Sequence, residues 1–148
     1  MNYQNEMKLK FKALSVNESF ARICVASFCA SINPTIDEIN DIKTAVSEAV
    51  TNCVVHAYPK EKGSIEIITK ISNNEVYITI TDSGVGIPDI DKAREPFYSS
   101  LADKERSGMG FTVMEGFMDK VIVESKVGKG TKITLIKQLG ECNIAVGV

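Results

Sequence analysis

Residues 35–58 carry an unbroken helical period, and this run constrains the fold more than any other. Ile36, Ile39, Ile42, Val46, Val50 and Cys53 recur at helical intervals, and Pro59 stops the pattern. Within it lies Glu48-Ala-Val-Thr-Asn-Cys-Val-Val-His56. Residues at i, i+4 and i+8 share a helix face, so Glu48, Asn52 and His56 form one polar line. Val46, Ala49, Val50, Cys53 and Ala57 supply apolar surface around it. A carboxylate one turn from a carboxamide, beside small apolar residues, suits a metal–nucleotide site set into a core-packed helix.

The other elements follow from shorter patterns. Residues 7–13 alternate as a half-exposed strand. Ser15 or Asn17 then fits a helix cap, and Phe20, Ile23, Cys24, Phe28 and Ile32 mark an apolar stripe. Asn33-Pro34 ends that helix, with Pro34 suited to the first position of the next. Residues 64–71 and 75–81 are strands joined by an Asn73-Asn74 turn. A glycine loop over 82–88 and a helical turn over 91–94 come next. Residues 95–106 read as a long loop, of a length that tends to be functional. A helix over 108–118, strands over 121–125 and 132–137, and a Val127-Gly-Lys-Gly130 turn between them complete the order. Two early helices followed by mostly antiparallel strands predict an α+β two-layer sandwich with its helices on one face. Residues 1–138 read as a single domain and 139–148 as a loosely held tail.

Composition excludes several classes. The chain has 148 residues and a net charge of −2 with no basic run, which argues against direct nucleic-acid binding. No apolar stretch approaches the roughly 20 residues of a membrane span, and the N-terminus lacks a signal-peptide core. Cys24, Cys29, Cys53 and Cys142 have no CxxC pairing; three fall in helical patterns where cysteine acts as a small buried hydrophobe. A reduced, cytoplasmic protein is the expectation. Met109, Met114 and Met118 recur at near-helical spacing, as core filling does.

Two glycine motifs bear on the polar helix face. Asp82-Ser-Gly-Val-Gly-Ile-Pro88 follows a strand directly. Gly84 and Gly86 remove side chains where a ligand could approach, and Asp82 offers an acceptor to an exocyclic amine. The same residues fit a tight turn capped by Asp82 equally well. Arg106-Ser-Gly-Met-Gly-Phe111 opens a helix, whose free N–H groups and positive dipole end suit an anion. Gly108 and Gly110 would let phosphates come close, and Arg106 adds a forked donor. It is neither a Walker A loop nor a Rossmann fingerprint.

In this order and at these spacings, the three motifs resemble the Bergerat ATP-binding fold of histidine kinases, type II topoisomerases, mismatch-repair ATPases and anti-sigma serine kinases. Glu48-x-x-x-Asn52 looks like the N box, Asp82-x-Gly84-x-Gly86 like the first glycine box, and Gly108-Met109-Gly110 like the second. Asn17-Glu-Ser-Phe-Ala-Arg22, His56-Ala-Tyr58, the tracts 82–89 and 105–111, and Phe117-Met-Asp-Lys-Val-Ile-Val-Glu-Ser125 narrow the resemblance to the anti-sigma-F factors of endospore-forming bacteria.

That resemblance implies a sporulation anti-sigma factor regulating transcription. Such a protein inhibits an RNA polymerase sigma factor in an ATP-dependent way and phosphorylates a serine of its anti-anti-sigma partner. ATP/ADP and Mg²⁺ are the implied cofactors, and a homodimer the implied assembly. Asn52 would hold Mg²⁺, Glu48 would take the proton of the attacking serine, and Asp82 would read the adenine amine with Thr131 nearby. Gly108 and Gly110 would cradle phosphates. Residues 95–106 would form a lid in which Ser99 and Ser100 replace a threonine pair, and Leu101-Ala102 replaces a Lys-Pro, removing a charge and a stiffening proline. Arg22 would contact both protein partners; by position alone it is a solvated helix charge. His56 falls to a packing or supporting role. The alternatives are an anti-sigma kinase of a stress-response sigma factor, a nucleotide-gated binding module with little catalysis, and a simple ATPase.

Overall fold

Alternation along the strands decides which face of the sheet is buried. A computed structural model describes residues 4–58, 63–94 and 110–140. It contains β1 (Asn5–Lys12), α1 (Val16–Cys29), α2 (Ile36–Asn52), β2 (Ser64–Ser72), β3 (Glu75–Asp82), α3 (Ile90–Ala93), α4 (Gly110–Phe117), β4 (Lys120–Lys126) and β5 (Gly130–Gln138). The strands form one sheet in the order β1-β2-β3-β5-β4, with every neighbouring pair antiparallel. The register aligns Leu9, Ile67, Ile80, Ile133 and Val123 in one row across all five strands. Ile65, Ile67, Ile71, Ile78, Ile80 and Leu135 on the same face are buried. Each fully buried side chain of this size contributes about 1.5–3 kcal/mol. The helices cover that face, giving the α+β architecture expected from the order of elements.

Helix α2 is the central beam. Its Ile42, Ala45, Val46, Ala49 and Val50 are fully buried, and both α1 and α4 pack on it. Its start is set by a capping box. The Glu38 N–H donates to Thr35 Oγ1 at 3.1 Å, and the Thr35 N–H donates to Glu38 Oε1 at 2.8 Å. Thr35 is therefore the cap, and Pro34 lies before it rather than at the first helical position. Asn33, with φ of 53°, makes the reversal between the helices.

Three further expectations shift. Ser15 occupies the cap position of α1 but has helical backbone angles and makes no side-chain cap bond; Asn17 Nδ2 instead donates to the Lys12 carbonyl at 2.9 Å. The buried line of α1 is Ala21, Val25 and Cys29, while Phe20 and Ile23 are about half exposed. Small side chains at i, i+4 and i+8 let α1 approach α2 closely, which leaves Phe20 and Ile23 outward while Phe28 and Ile32 still pack on the edge of the core. Burial pushes the Cys29 thiol up to about 12. Thirdly, the packed chain does not end at 138. Leu139 is buried and its N–H donates to the Asn74 carbonyl at 2.7 Å, while the Gly140 N–H donates to Glu38 Oε2 at 2.7 Å. Among the described residues, no helix is long and apolar enough to cross a membrane.

Candidate functional site

The last turn of α2 carries Glu48 and Asn52, both half-buried, anchored by the fully buried Ala49 and Val50. Regular helix ends at Asn52, and Cys53–Ala57 is a π-helical turn. The expected polar line is therefore α-helical only from Glu48 to Asn52. His56 lies in the widened turn and does not continue the stacking by simple i+4 geometry. What the π turn does is aim the Ala57 carbonyl at the glycine loop, where it accepts from the Val85 N–H at 2.9 Å.

That contact explains Gly84. A Cβ there would stand 2.2 Å from the Ala57 carbonyl oxygen. Gly86 has φ of +82°, and a Cβ on it would stand 2.4 Å from the Lys126 carbonyl oxygen. The Gly128 N–H donates to the Val85 carbonyl at 2.8 Å. Both glycines thus thread the loop between the end of α2 and the β4–β5 hairpin, and the chain's own backbone needs the space. Tyr58 adds a latch: its hydroxyl accepts from the Ser83 N–H and donates to the Ser64 carbonyl, each at 2.8 Å. Burial and the charge of Asp82 raise the Tyr58 hydroxyl above its ordinary value, against the bond from Ser83.

Asp82 ends β3 and is buried, 5% exposed as a residue. Its Oδ1 accepts from the Gly84 N–H at 2.9 Å and the Thr131 N–H at 3.2 Å. The buried Cys53 thiol also bonds to this carboxylate; burial first, then the charge of Asp82, pushes that thiol well above its ordinary range. Thr131 is register partner to Asp82 and to Ser125. Ser125 Oγ touches Thr131 Oγ1 at 2.8 Å and accepts from the Ile87 N–H at 2.7 Å.

Helix α4 closes the other side. A Cβ on Gly110 would stand 3.1 Å from Asn52 Nδ2 and 3.2 Å from Oδ1, so the glycine lets the helix start against the carboxamide. Phe111 and Met114 bury α4. Arg94, at the end of α3, pairs with Glu115 and donates to the Val121 carbonyl at 3.0 Å.

The fold therefore brings together Asn52 and Gly110 on one side, with Glu48 one turn back along α2, and Asp82, Gly84, Gly86 and Thr131 on the other. The Cys53–Ala57 turn joins them. Arg22 stands apart on α1, where its Nη1 donates to both carboxylate oxygens of Glu18 at 2.9 and 2.8 Å. Ser99, Ser100, Arg106, Gly108 and the Leu101-Ala102 pair lie outside the described residues. Among the described residues, no three His, Cys, Asp or Glu side chains converge as metal ligands. Sequence reasoning missed Tyr58, Ser125 and the thiol of Cys53 as contributors to the Asp82 wall. Their roles depend on cross-strand register and the π turn, which leave no local pattern.

Comparison with known proteins identifies the family and the fold. The family model for the histidine kinase-like ATPase domain matches residues 12–137. The anti-sigma F factor of Clostridium acetobutylicum is 55% identical over 135 residues, covering 91% of this chain and 94% of that protein. The anti-sigma F factor of Geobacillus kaustophilus is 52% identical over 139 residues, covering 93% and 95%. Among solved structures, the RsbU and RsbW domains of Rv1364c from Mycobacterium tuberculosis align with a TM-score of 0.68 at 20% identity, over 92% of this chain and 33% of that one. The catalytic domain of histidine kinase ThkA aligns at 0.57 and 16%, over 90% and 96%. These two likenesses concern the fold. With more than half of the aligned residues identical over nearly the whole length of both curated relatives, the chain belongs to the anti-sigma F factor family, built on a histidine kinase-like ATPase domain.

Proposed function

We propose that this chain is an ATP-dependent anti-sigma factor that holds a sporulation sigma factor inactive and phosphorylates a serine of an anti-anti-sigma protein. The observation that carries the reading is the seating of Gly110 against the Asn52 carboxamide, with the Asp82 wall joined to the same helix end through Ala57. A nucleotide between these walls has its base at Asp82 and Thr131 and its phosphates at the start of α4, with Gly108 and Arg106 preceding it. By the family resemblance Ser99 and Ser100, which lie outside the described residues, would contact the terminal phosphate. Asn52 would hold Mg²⁺ through Oδ1, the kind of hard oxygen donor the ion prefers. Bound there, the ion would neutralise phosphate charge.

In the transfer, the serine Oγ of the partner bonds to the γ-phosphorus while the bond from that phosphorus to the bridging oxygen breaks. ADP leaves with the electron pair, and Glu48 takes the serine proton. Differential affinity in the ATP and ADP states drives partner exchange. Arg22, fixed by Glu18 on α1, contacts both protein partners. The exposed Phe20 and Ile23 of the same helix, with the half-buried Met7, Leu9 and Phe11 of β1, supply the apolar surface of a homodimer.

Incubation with γ-labelled ATP and the anti-anti-sigma protein tests the reading. Label is expected on one serine of the partner, and a partner that stays unlabelled under ATP saturation overturns the kinase assignment. Glu48→Ala is expected to lower the transfer rate by about 10²–10⁴ while sigma-factor binding persists. Unchanged transfer would remove Glu48 as the base.

A further inference from the structure

Most backbone donors on the Asp82 side of the site are spent inside the protein. Of the five N–H groups of residues 83–87, four have internal acceptors: Ser83 gives to Tyr58, Gly84 to Asp82, Val85 to the Ala57 carbonyl and Ile87 to Ser125. The Thr131 N–H goes to Asp82. At the Asp82–Thr131 pair, polarity then turns on one proton, that of the Thr131 hydroxyl.

Ser125 decides where that proton points. Its Oγ has one proton and two lone pairs. It meets the Ile87 N–H at 2.7 Å, the Gly130 carbonyl at 3.0 Å and Thr131 Oγ1 at 2.8 Å. Ile87 can only donate and the Gly130 carbonyl can only accept. All three contacts are satisfied together in a single way: Ser125 gives its proton to Gly130 and accepts from both Ile87 and Thr131. Thr131 Oγ1 is then left with lone pairs alone. Asp82 is likewise an acceptor, so the side chains of this pair offer acceptors only.

We infer that Ser125 is a specificity-determining positioning residue: by consuming the Thr131 proton it makes the Asp82–Thr131 pair match a purine that donates at its 6-position and reject one that accepts there. The chemical class selected is a 6-aminopurine nucleotide over a 6-oxopurine nucleotide. This rests on the proposal that the Asp82 wall takes the base. Analogue rejection of this kind comes from buried polar groups left opposed to their own kind.

The test is calorimetric titration of the full chain with MgATP and with MgITP, since inosine triphosphate differs from ATP only along that edge. The unmodified protein should prefer ATP. In Ser125→Ala the Thr131 hydroxyl can turn its proton outward, and the ATP:ITP affinity ratio should fall about tenfold. Ser125→Thr keeps the hydroxyl and should restore the ratio, which a role in packing alone would not require. Thr131→Val removes the acceptor while leaving Ser125 with Ile87 and Gly130, and should lower the ratio as well; it decides the matter if Ser125→Ala fails to fold. A ratio unchanged in Ser125→Ala, or unchanged in Thr131→Val, overturns the inference while leaving ATP binding intact. Failure of the unmodified protein to bind either nucleotide overturns the site reading itself, and this inference with it.

Discussion

Glycines that look alike in the sequence meet very different surroundings. Gly84 faces the Ala57 carbonyl, which as backbone at a helix end cannot yield. Gly84→Ala should therefore cost about 3 kcal/mol, as overpacking does, and lower the melting temperature by about 6–12 °C. Gly116, in α4, has nothing within 4 Å of a Cβ, so Gly116→Ala should raise stability by about 0.5–1 kcal/mol through helix propensity. Thermal unfolding of the two variants side by side checks both; equal effects would contradict the packing account of the first glycine motif. The motif was legible in the sequence as a glycine loop after a strand. Its reason was not, because the opposing atom lies 27 residues earlier, at Ala57, in a turn that departs from regular helix.

At the scale of elements, Glu38 does two jobs with one carboxylate. Oε1 closes the cap of α2, and Oε2 holds the Gly140 N–H beyond the last strand. Burial works to raise its pKa, but bonds from the Thr35 and Gly140 N–H groups and the Thr35 hydroxyl, with the charge of Lys137, outweigh it and hold the group below its ordinary 4.5. A carboxyl with a depressed folded pKa stabilises above its unfolded value and loses that contribution as pH falls through the folded one. Glu38→Ala should thus cost about 1 kcal/mol at neutral pH, and the gap to the unmodified protein should close below pH 4.5. Chemical denaturation at pH 7 and pH 3 measures both. The strands, the hairpin at Asn73 and the start of α2 could be read from alternation, turn residues and period, whereas its change to a π turn after Asn52 could not. The orientation of α1 could not, since period marks an apolar line without saying whether small or large residues meet the neighbouring helix.

At the scale of the whole molecule, α1 presents Val16, Phe20 and Ile23 at 75%, 51% and 54% exposure. Isolated exposed apolar residues are ordinary, but three on one helix beside the half-buried face of β1 fit the proposed two-fold contact. Phe20→Asp should shift the sedimentation coefficient from dimer to monomer at micromolar concentration without lowering the melting temperature of the fold. A sedimentation profile unmoved by that change would place any dimer contact elsewhere. The order of the motifs along the chain suggested which segments share the site; of the second glycine motif, only Gly110 lies among the described residues, against Asn52. The internal wiring of the Asp82 wall emerged only from the antiparallel register of β3, β4 and β5.

The ties at Leu139 and Gly140 have a mechanical consequence. Pulling on the chain from Gly140 would load two joints at once, the Asn74 carbonyl at the β2–β3 hairpin and the Glu38 carboxylate at the head of α2. Force would be shared between the sheet and the central helix before β5 could peel from its neighbours. A single-molecule trap holding the protein by that end should therefore record one rupture rather than a gradual unzipping from the last strand.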